Sequence, residues 1–243
     1  MAAELAAPDR LLVALDVETL TEAEIWLDRL EGVVRGCKIG PQLFTAAGPA
    51  AVEAALKRGF RVFLDLKFHD IPNTVAGAVR EATRLGVFML NVHASGGLAM
   101  MRAAVEAAAK AATDFAVARP LCLGVTVLTS LDRRSLQTEV GISASVSGHV
   151  LHLATLSREA GLDGSVASPE ESRLLRATLG RRWIIVTPGI RPLEANDDQK
   201  RTATPAQART AGADYVVVGR PITTAPDPVA AARTILDDLA QAE

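Results

Sequence analysis

Aromatic residues are scarce in this chain: one Tyr, two Trp and six Phe among 243 residues, or 4%. So few rings argue against a surface that stacks on nucleic-acid bases. An excess of either charge is also missing. Lys and Arg number 26 and Asp and Glu 28, for a formal net charge of -2, with a pI near 6.1. That balance leaves no electrostatic footprint for nucleic acid or an anionic membrane, so neither is expected as a partner. No run approaches the ~18 apolar residues of a membrane helix. The first ten residues, MAAELAAPDR, lack a basic stretch followed by an apolar core, so no signal peptide is expected. Cysteine is limited to Cys37 and Cys122, far apart and in no metal or redox spacing. Reduced thiols in a cytoplasmic protein are the expectation.

What is present is a repeated unit. Hydrophobic residues make up 49% of the chain, and the apolar runs alternate with helical patterns. Strands are expected at 11–17, 36–40, 61–67, 87–94, 120–130, 162–168, 182–190 and 213–220. Between them, Thr21 with Glu24 reads as a capping box for a helix to about Leu30. Residues 42–58 read as one amphipathic helix ended by Gly59, and Pro72 opens the next, stopped by Gly86. An Ala-rich helix follows Gly96 and Gly97, and further helices are expected at 146–160, 169–179, 205–211 and from Pro228. Residues 131–145 and 191–203 read as polar loops. Strands this apolar, separated by helices, imply parallel pairing under helical cover. No Gly-x-Gly-x-x-Gly opens the first helix, which disfavours a dinucleotide-binding open sheet. Eight such units in a chain of this length predict an α/β fold, a single-domain (β/α)8 TIM barrel over residues 1–243.

In such a barrel the functional groups stand at the C-terminal ends of the strands. Polar residues fall there in this chain: Asp16, Lys38, Asp65, Lys67, His93, Thr129, Ser168, Arg191 and Arg220. The densest cluster is in RVFLDLKFHDIPNT, residues 61–74. Asp65 and Lys67, two apart on a strand, share one face, while Val62, Leu64 and Leu66 share the other. Asp70 lies just beyond the strand. A solvated face is the ordinary reading of such charges, but apolar residues on both sides of the strand give these a buried role to explain. A second signal lies in TPGIRP and VVGRP, after the seventh and eighth strands. Gly189 and Gly219 let backbone N–H groups approach an anion, and Arg191 and Arg220 add guanidinium forks suited to phosphate.

These residues carry a family resemblance. DLKFHDIPNT resembles the D-x-K-x-x-D signature of the orotidine 5′-phosphate decarboxylase family. LDV with Asp16, CKIG with Lys38, VTVLTS, TPGIRP, the DDQKR loop and VVGRP extend the likeness over nearly the whole chain. The resemblance implies decarboxylation of orotidine 5′-phosphate to uridine 5′-phosphate, the last step of de novo pyrimidine synthesis, with no metal and no organic cofactor. It implies a homodimer with sites at the interface. Lys67 would protonate C6 as the carboxylate leaves, Asp65 would face that carboxylate, and Lys38 and Asp70 would complete a Lys–Asp–Lys–Asp array. Asp70 and Thr74 would serve the partner's site, Thr74 at a ribose hydroxyl. Asp16 would bind ribose and Thr129 the pyrimidine edge. Arg191, Gln199, Gly219 and Arg220 would hold phosphate. The resemblance also sets Leu66, Phe68, His69, Ile71, Pro72 and Asn73 against the substrate, although no chemistry attaches to His69 or Pro72.

Two other readings stand beside this one. Sugar-phosphate decarboxylases and aldol-type synthases share the D-x-K-x-x-D motif but use Mg2+, held by a carboxylate at the end of the second strand, where this chain has Lys38. An inert nucleotide-binding barrel would have no need of a lysine buried between acids. For His93, pocket lining and a structural hydrogen bond are equally open. His149 and His152 read as helix residues, Met100 and Met101 as packing, and Cys37 as a buried thiol on the face opposite Lys38.

Overall fold

Eight short strands, apolar on both faces, pair in parallel and close on themselves. They are β1 (Leu11–Ala14), β2 (Gly36–Ile39), β3 (Arg61–Phe68), β4 (Met89–His93), β5 (Leu121–Val125), β6 (Gly164–Val166), β7 (Ile184–Thr187) and β8 (Tyr215–Val218). They follow chain order around a closed barrel, with β8 returning to pair with β1. The computed structural model describes residues 5–191 and 203–241. Helices join successive strands and cover the outside, among them Leu20–Leu30, Pro72–Arg84, Gly97–Asp114, Val146–Glu159, Pro169–Leu179 and Pro228–Gln241. This is the expected (β/α)8 barrel.

The strand period of two divides the core into two layers. Leu12, Ala14, Phe63, Met89, Leu123, Val186, Tyr215 and Val217 fill the barrel interior. Their alternates, such as Leu11, Val13, Cys37, Leu64, Leu90 and Val216, meet the helices in a separate and larger cluster. The interior packing rests on small residues where strands approach closely. A Cβ on Gly164 would lie 2.2 Å from the Ile184 carbonyl oxygen, and one on Gly36 would lie 2.5 Å from Leu12 Cδ2.

Three local features differ from the sequence reading. The first long helix is capped by Thr19 with Glu22, a reciprocal capping box, in place of Thr21 with Glu24. Both pairs have the same spacing, and the helix takes the earlier one. Residues 42–58 form two helices, Pro41–Ala47 and Pro49–Lys57. Gly48 at φ 58, ψ -146 breaks the path, and Pro49 has no N–H to continue it. Within 131–145 a short helix, Arg133–Thr138, forms where the Asp132 side chain accepts a hydrogen bond from the Ser135 amide. Most of the polar loop after β7 lies outside the described residues.

Gly164→Ala should destabilise the fold, because the new methyl meets β7 backbone, which cannot rotate away. The loss expected is about 1–3 kcal/mol, the usual cost of overpacking a core. A urea unfolding midpoint equal to that of the wild type would show that the barrel can spread at β6.

Candidate active site

A cavity of about 510 Å³ opens at the C-terminal ends of the strands. Every strand exit except that of β4 contributes lining residues, because the inward-facing positions continue past the packed interior. β1 leads to Asp16, β2 ends near Lys38, and β3 presents Asp65 and Lys67. Thr129 enters after β5, Gly189 and Arg191 after β7, and Gly219 and Arg220 after β8. Among the described lining residues, four cations (Lys38, Lys67, Arg191, Arg220) face two carboxylates (Asp16, Asp65). The balance favours an anionic ligand.

The charges form a connected chain. Lys38 Nζ donates to Asp16 Oδ1 at 2.9 Å and lies 3.4 Å from Asp65 Oδ2. Lys67 Nζ donates to Asp65 Oδ1 at 2.8 Å, and Asn91 Nδ2 donates to the same oxygen at 2.7 Å. Asp65 is therefore a buried carboxylate with two hydrogen-bond donors and a second ammonium at ion-pair distance, as a buried charge requires. Arg191 is also buried, with one guanidinium nitrogen donating to the Ile190 carbonyl at 2.9 Å.

β3 is irregular where it presents these groups. Lys67 adopts φ 51, which is rare for a residue with a Cβ. The pairing with β4 shifts register between Leu64 and Phe68. Asp65 and Lys67 still share the inward face, as their spacing predicts.

The structure brings eight of the expected residues around the cavity: Asp16, Lys38, Asp65, Lys67, Thr129, Arg191, Gly219 and Arg220. Leu66 and Phe68 lie on the other face, against a separate apolar cavity with Phe44, Pro49 and Leu85. His69, Asp70, Ile71, Pro72, Asn73 and Thr74 are exposed beyond the strand. Asp70 accepts a hydrogen bond from the Ile71 amide at 2.6 Å. Gln199 lies outside the described residues. His93 is away from the cavity wall, its ring 5.4 Å from that of His69. Burial, then the nearby His69 and Lys67, holds its imidazole below the ordinary value.

The sequence profile of the "Orotidine 5'-phosphate decarboxylase / HUMPS family" matches residues 9–235. The chain belongs to this family. Orotidine 5'-phosphate decarboxylases of Moorella thermoacetica and Syntrophotalea carbinolica are 55% and 52% identical to it. These matches cover 96% and 97% of this chain and 93% and 97% of the relatives. The crystal structure of orotidine 5'-phosphate decarboxylase from Lactobacillus acidophilus matches with a TM-score of 0.85 at 36% identity, covering 95% of this chain and 99% of that one.

Sequence reasoning passed over several residues of this family member's cavity. Gln42 lines it from the first turn of the helix after β2, and Thr223 from the turn after β8. Neither stands out by charge or spacing. Gly40 is a quieter case: a Cβ there would lie 2.9 Å from Lys38 Nζ and 3.2 Å from Asp16 Oδ1. Asn91 is the residue that a signal could have found. It is a lone amide within the apolar run VFMLNVHA, and a polar side chain at such a position needs a partner.

Cys37 and Cys122 face away from the cavity and are fully enclosed. Burial pushes each thiol up to about 12. Neither should react with a thiol-specific disulfide reagent in the native protein at pH 8, and both should react after unfolding. A thiol titrating raised in the folded state stays neutral while its unfolded counterpart ionises. The linked stability is therefore present below the ordinary value of 9.0 and falls as pH rises towards about 12. Rapid labelling of either cysteine under native conditions would contradict the packing.

Proposed function

We propose that this chain decarboxylates orotidine 5′-phosphate to uridine 5′-phosphate and CO2 without a metal, with Lys67 as the proton donor to C6. The observation that carries the reading is the Lys38–Asp65–Lys67 chain at one end of a cavity whose other exits present Arg191 and Arg220. Membership of the family and relatives of that name at about half identity support decarboxylation in pyrimidine biosynthesis. The cavity volume is also in the range that encloses a small-molecule ligand.

Loss of CO2 from C6 leaves an electron pair on a ring carbon with little delocalisation. An ammonium already in place stabilises that charge and then supplies the proton. Lys67 takes this role, and the new C6–H bond forms with its proton. Asp65 faces the departing carboxylate. Its repulsion with the substrate is relieved as neutral CO2 forms, although the stabilising cation carries more of the effect than that repulsion. Lys38 balances Asp65 and orients Asp16, which is assigned to a ribose hydroxyl. Thr129 reads the pyrimidine edge. Arg191, Arg220, Gly219 and Gln199 are assigned to phosphate, whose binding energy positions a ring several bonds away.

A homodimer completes the proposed site. Ile71 is a large apolar residue at 68% exposure, flanked by exposed Asp70, Pro72, Asn73 and Thr74. A segment that leaves the cavity and turns outward with an apolar side chain suits burial against a second copy, where Asp70 and Thr74 would reach the partner's ligand. Among the described residues no helix is long and apolar enough to cross a membrane, and a cytoplasmic site of action fits the reduced, buried cysteines.

The Mg2+-dependent reading on the same barrel is disfavoured by Lys38. Its ammonium lies between Asp16 and Asp65, where it would repel a divalent cation. The proposal is tested by loss of orotate-ring absorbance when orotidine 5′-phosphate is added to the purified protein, before and after exhaustive chelation. Equal turnover in both is expected. Activity abolished by chelator and restored by Mg2+ would move the assignment to the metal-dependent class, and binding without turnover would make the chain an inert binder.

Shared sites predict complementation between inactive chains. Lys67→Ala and Asp70→Ala should each lower turnover strongly when alone. In a hybrid dimer one site takes Lys67 from one chain and Asp70 from the other and is intact, while the second lacks both. Random reassortment makes about half of the dimers hybrids, so activity should recover to roughly a quarter of wild type. No gain under conditions shown to exchange subunits would confine Asp70 to its own chain.

A further inference from the structure

We propose that Asn91 is the positioning residue of this site: its carboxamide holds the backbone bend that aims Lys67 and, from its other arm, the carboxylate that faces Lys67. The inference rests on the decarboxylase reading for its kinetic readout, but its basis is geometric.

β3 and β4 pair in register at Phe63 with Met89 and at Leu64 with Leu90, then again at Phe68 with Val92. Between the last two matches, β3 spends three residues, Asp65, Leu66 and Lys67, where β4 spends one, Asn91. A bulge of this kind takes backbone donors out of the sheet ladder, and a donor buried near a barrel core must find another acceptor. The Lys67 amide finds Asn91 Oδ1 at 2.8 Å. At the same residue the backbone takes the left-handed conformation, φ 51, which favours glycine and carries a steric penalty for lysine. The Asn91 hydrogen bond therefore falls on a residue whose backbone needs support.

The other arm is equally committed. Asn91 Nδ2 donates to Asp65 Oδ1 at 2.7 Å, the oxygen that also accepts from Lys67 Nζ. The two partners fix which way the amide faces, since an N–H requires the oxygen and a carboxylate requires the NH2. Asn91 is wholly buried, so water offers no substitute for either bond. These two partners call for a neutral group that donates on one side and accepts on the other. An ionised aspartate has the same shape and can accept from Lys67, but it would set a second carboxylate against Asp65. The charged and titratable groups around position 91 are Asp65 and Lys67 on β3, Lys38 on β2 with Asp16 beyond it, and His93 on β4 facing His69.

Two variants test the assignment against wild type in the orotidine 5′-phosphate assay. Asn91→Ala should lower kcat by about a hundredfold, the scale expected when a reacting group is displaced by about 1 Å. KM should change little, because Arg191 and Arg220 enter from the opposite strand exits. Asn91→Asp should be impaired at neutral pH. Its ratio to wild type should rise as pH falls, because a protonated carboxyl can donate to Asp65 while still accepting from the Lys67 amide. Taking the ratio at each pH removes titrations common to both proteins. A folded Asn91→Ala enzyme with wild-type kcat would overturn the proposal, as would an Asn91→Asp ratio that stays flat with pH. If the Ala variant does not fold, the isosteric Asp variant decides. If wild type itself gives no turnover, the decarboxylase reading fails separately. A crystal structure of either variant then tests the positioning role: Lys67 leaving the left-handed region is expected, and an unchanged Lys67 and Asp65 would overturn it.

Discussion

The buried carboxylate of Asp65 is the constraint on which the site depends. An anion removed from water must be met by donors and opposite charge from the protein, and three strands supply them: hydrogen bonds from Lys67 and Asn91 and the ammonium of Lys38 at ion-pair distance. Removing one partner from such an arrangement costs about 3–5 kcal/mol, whereas an apolar replacement of the whole group is often neutral or stabilising. Stability alone therefore gives no reason to keep charges at this depth. Their presence at the barrel mouth is an argument from function, and the same argument explains the cost accepted in the backbone of β3.

Much of this was legible in the sequence, because both the strand period and the barrel rule are local. Apolar runs separated by helices gave the strand order, and charges at strand ends gave the rim. The i, i+2 spacing placed Asp65 and Lys67 on one face even though the strand between them is bulged. What escaped depended on partners remote in the chain or on competition between equivalent signals. Asn91 acquires its meaning only when β4 lies against β3, 26 residues from Asp65. Thr19 and Thr21 each have a glutamate three residues on, and only the packed helix chooses between them. Gly48 with Pro49 was a break that the apolar residues on either side of it, in two shorter helices, obscured. Gly40 and Gln42 carry no charge to announce them; Gly40 gains importance from its closeness to Lys38, and Gln42 from lining the cavity.

The bulge also separates two groups of residues that sequence alone runs together. Inward-facing Asp65 and Lys67 belong to the cavity, while residues 69–74 are exposed beyond it. A regular strand would continue the alternation and send every second residue of that segment towards the barrel axis. The left-handed turn at Lys67 ends the alternation there and lets the chain leave the rim. On the proposed dimer, one backbone irregularity then does two things: it aims an ammonium into its own cavity and delivers Asp70 and Thr74 outward to the other. Because the turn and the carboxylate are tied to the same amide of Asn91, the geometry of one chain's lysine and the reach of its loop are fixed together. On that proposed dimer, loosening the bulge would disturb both sites.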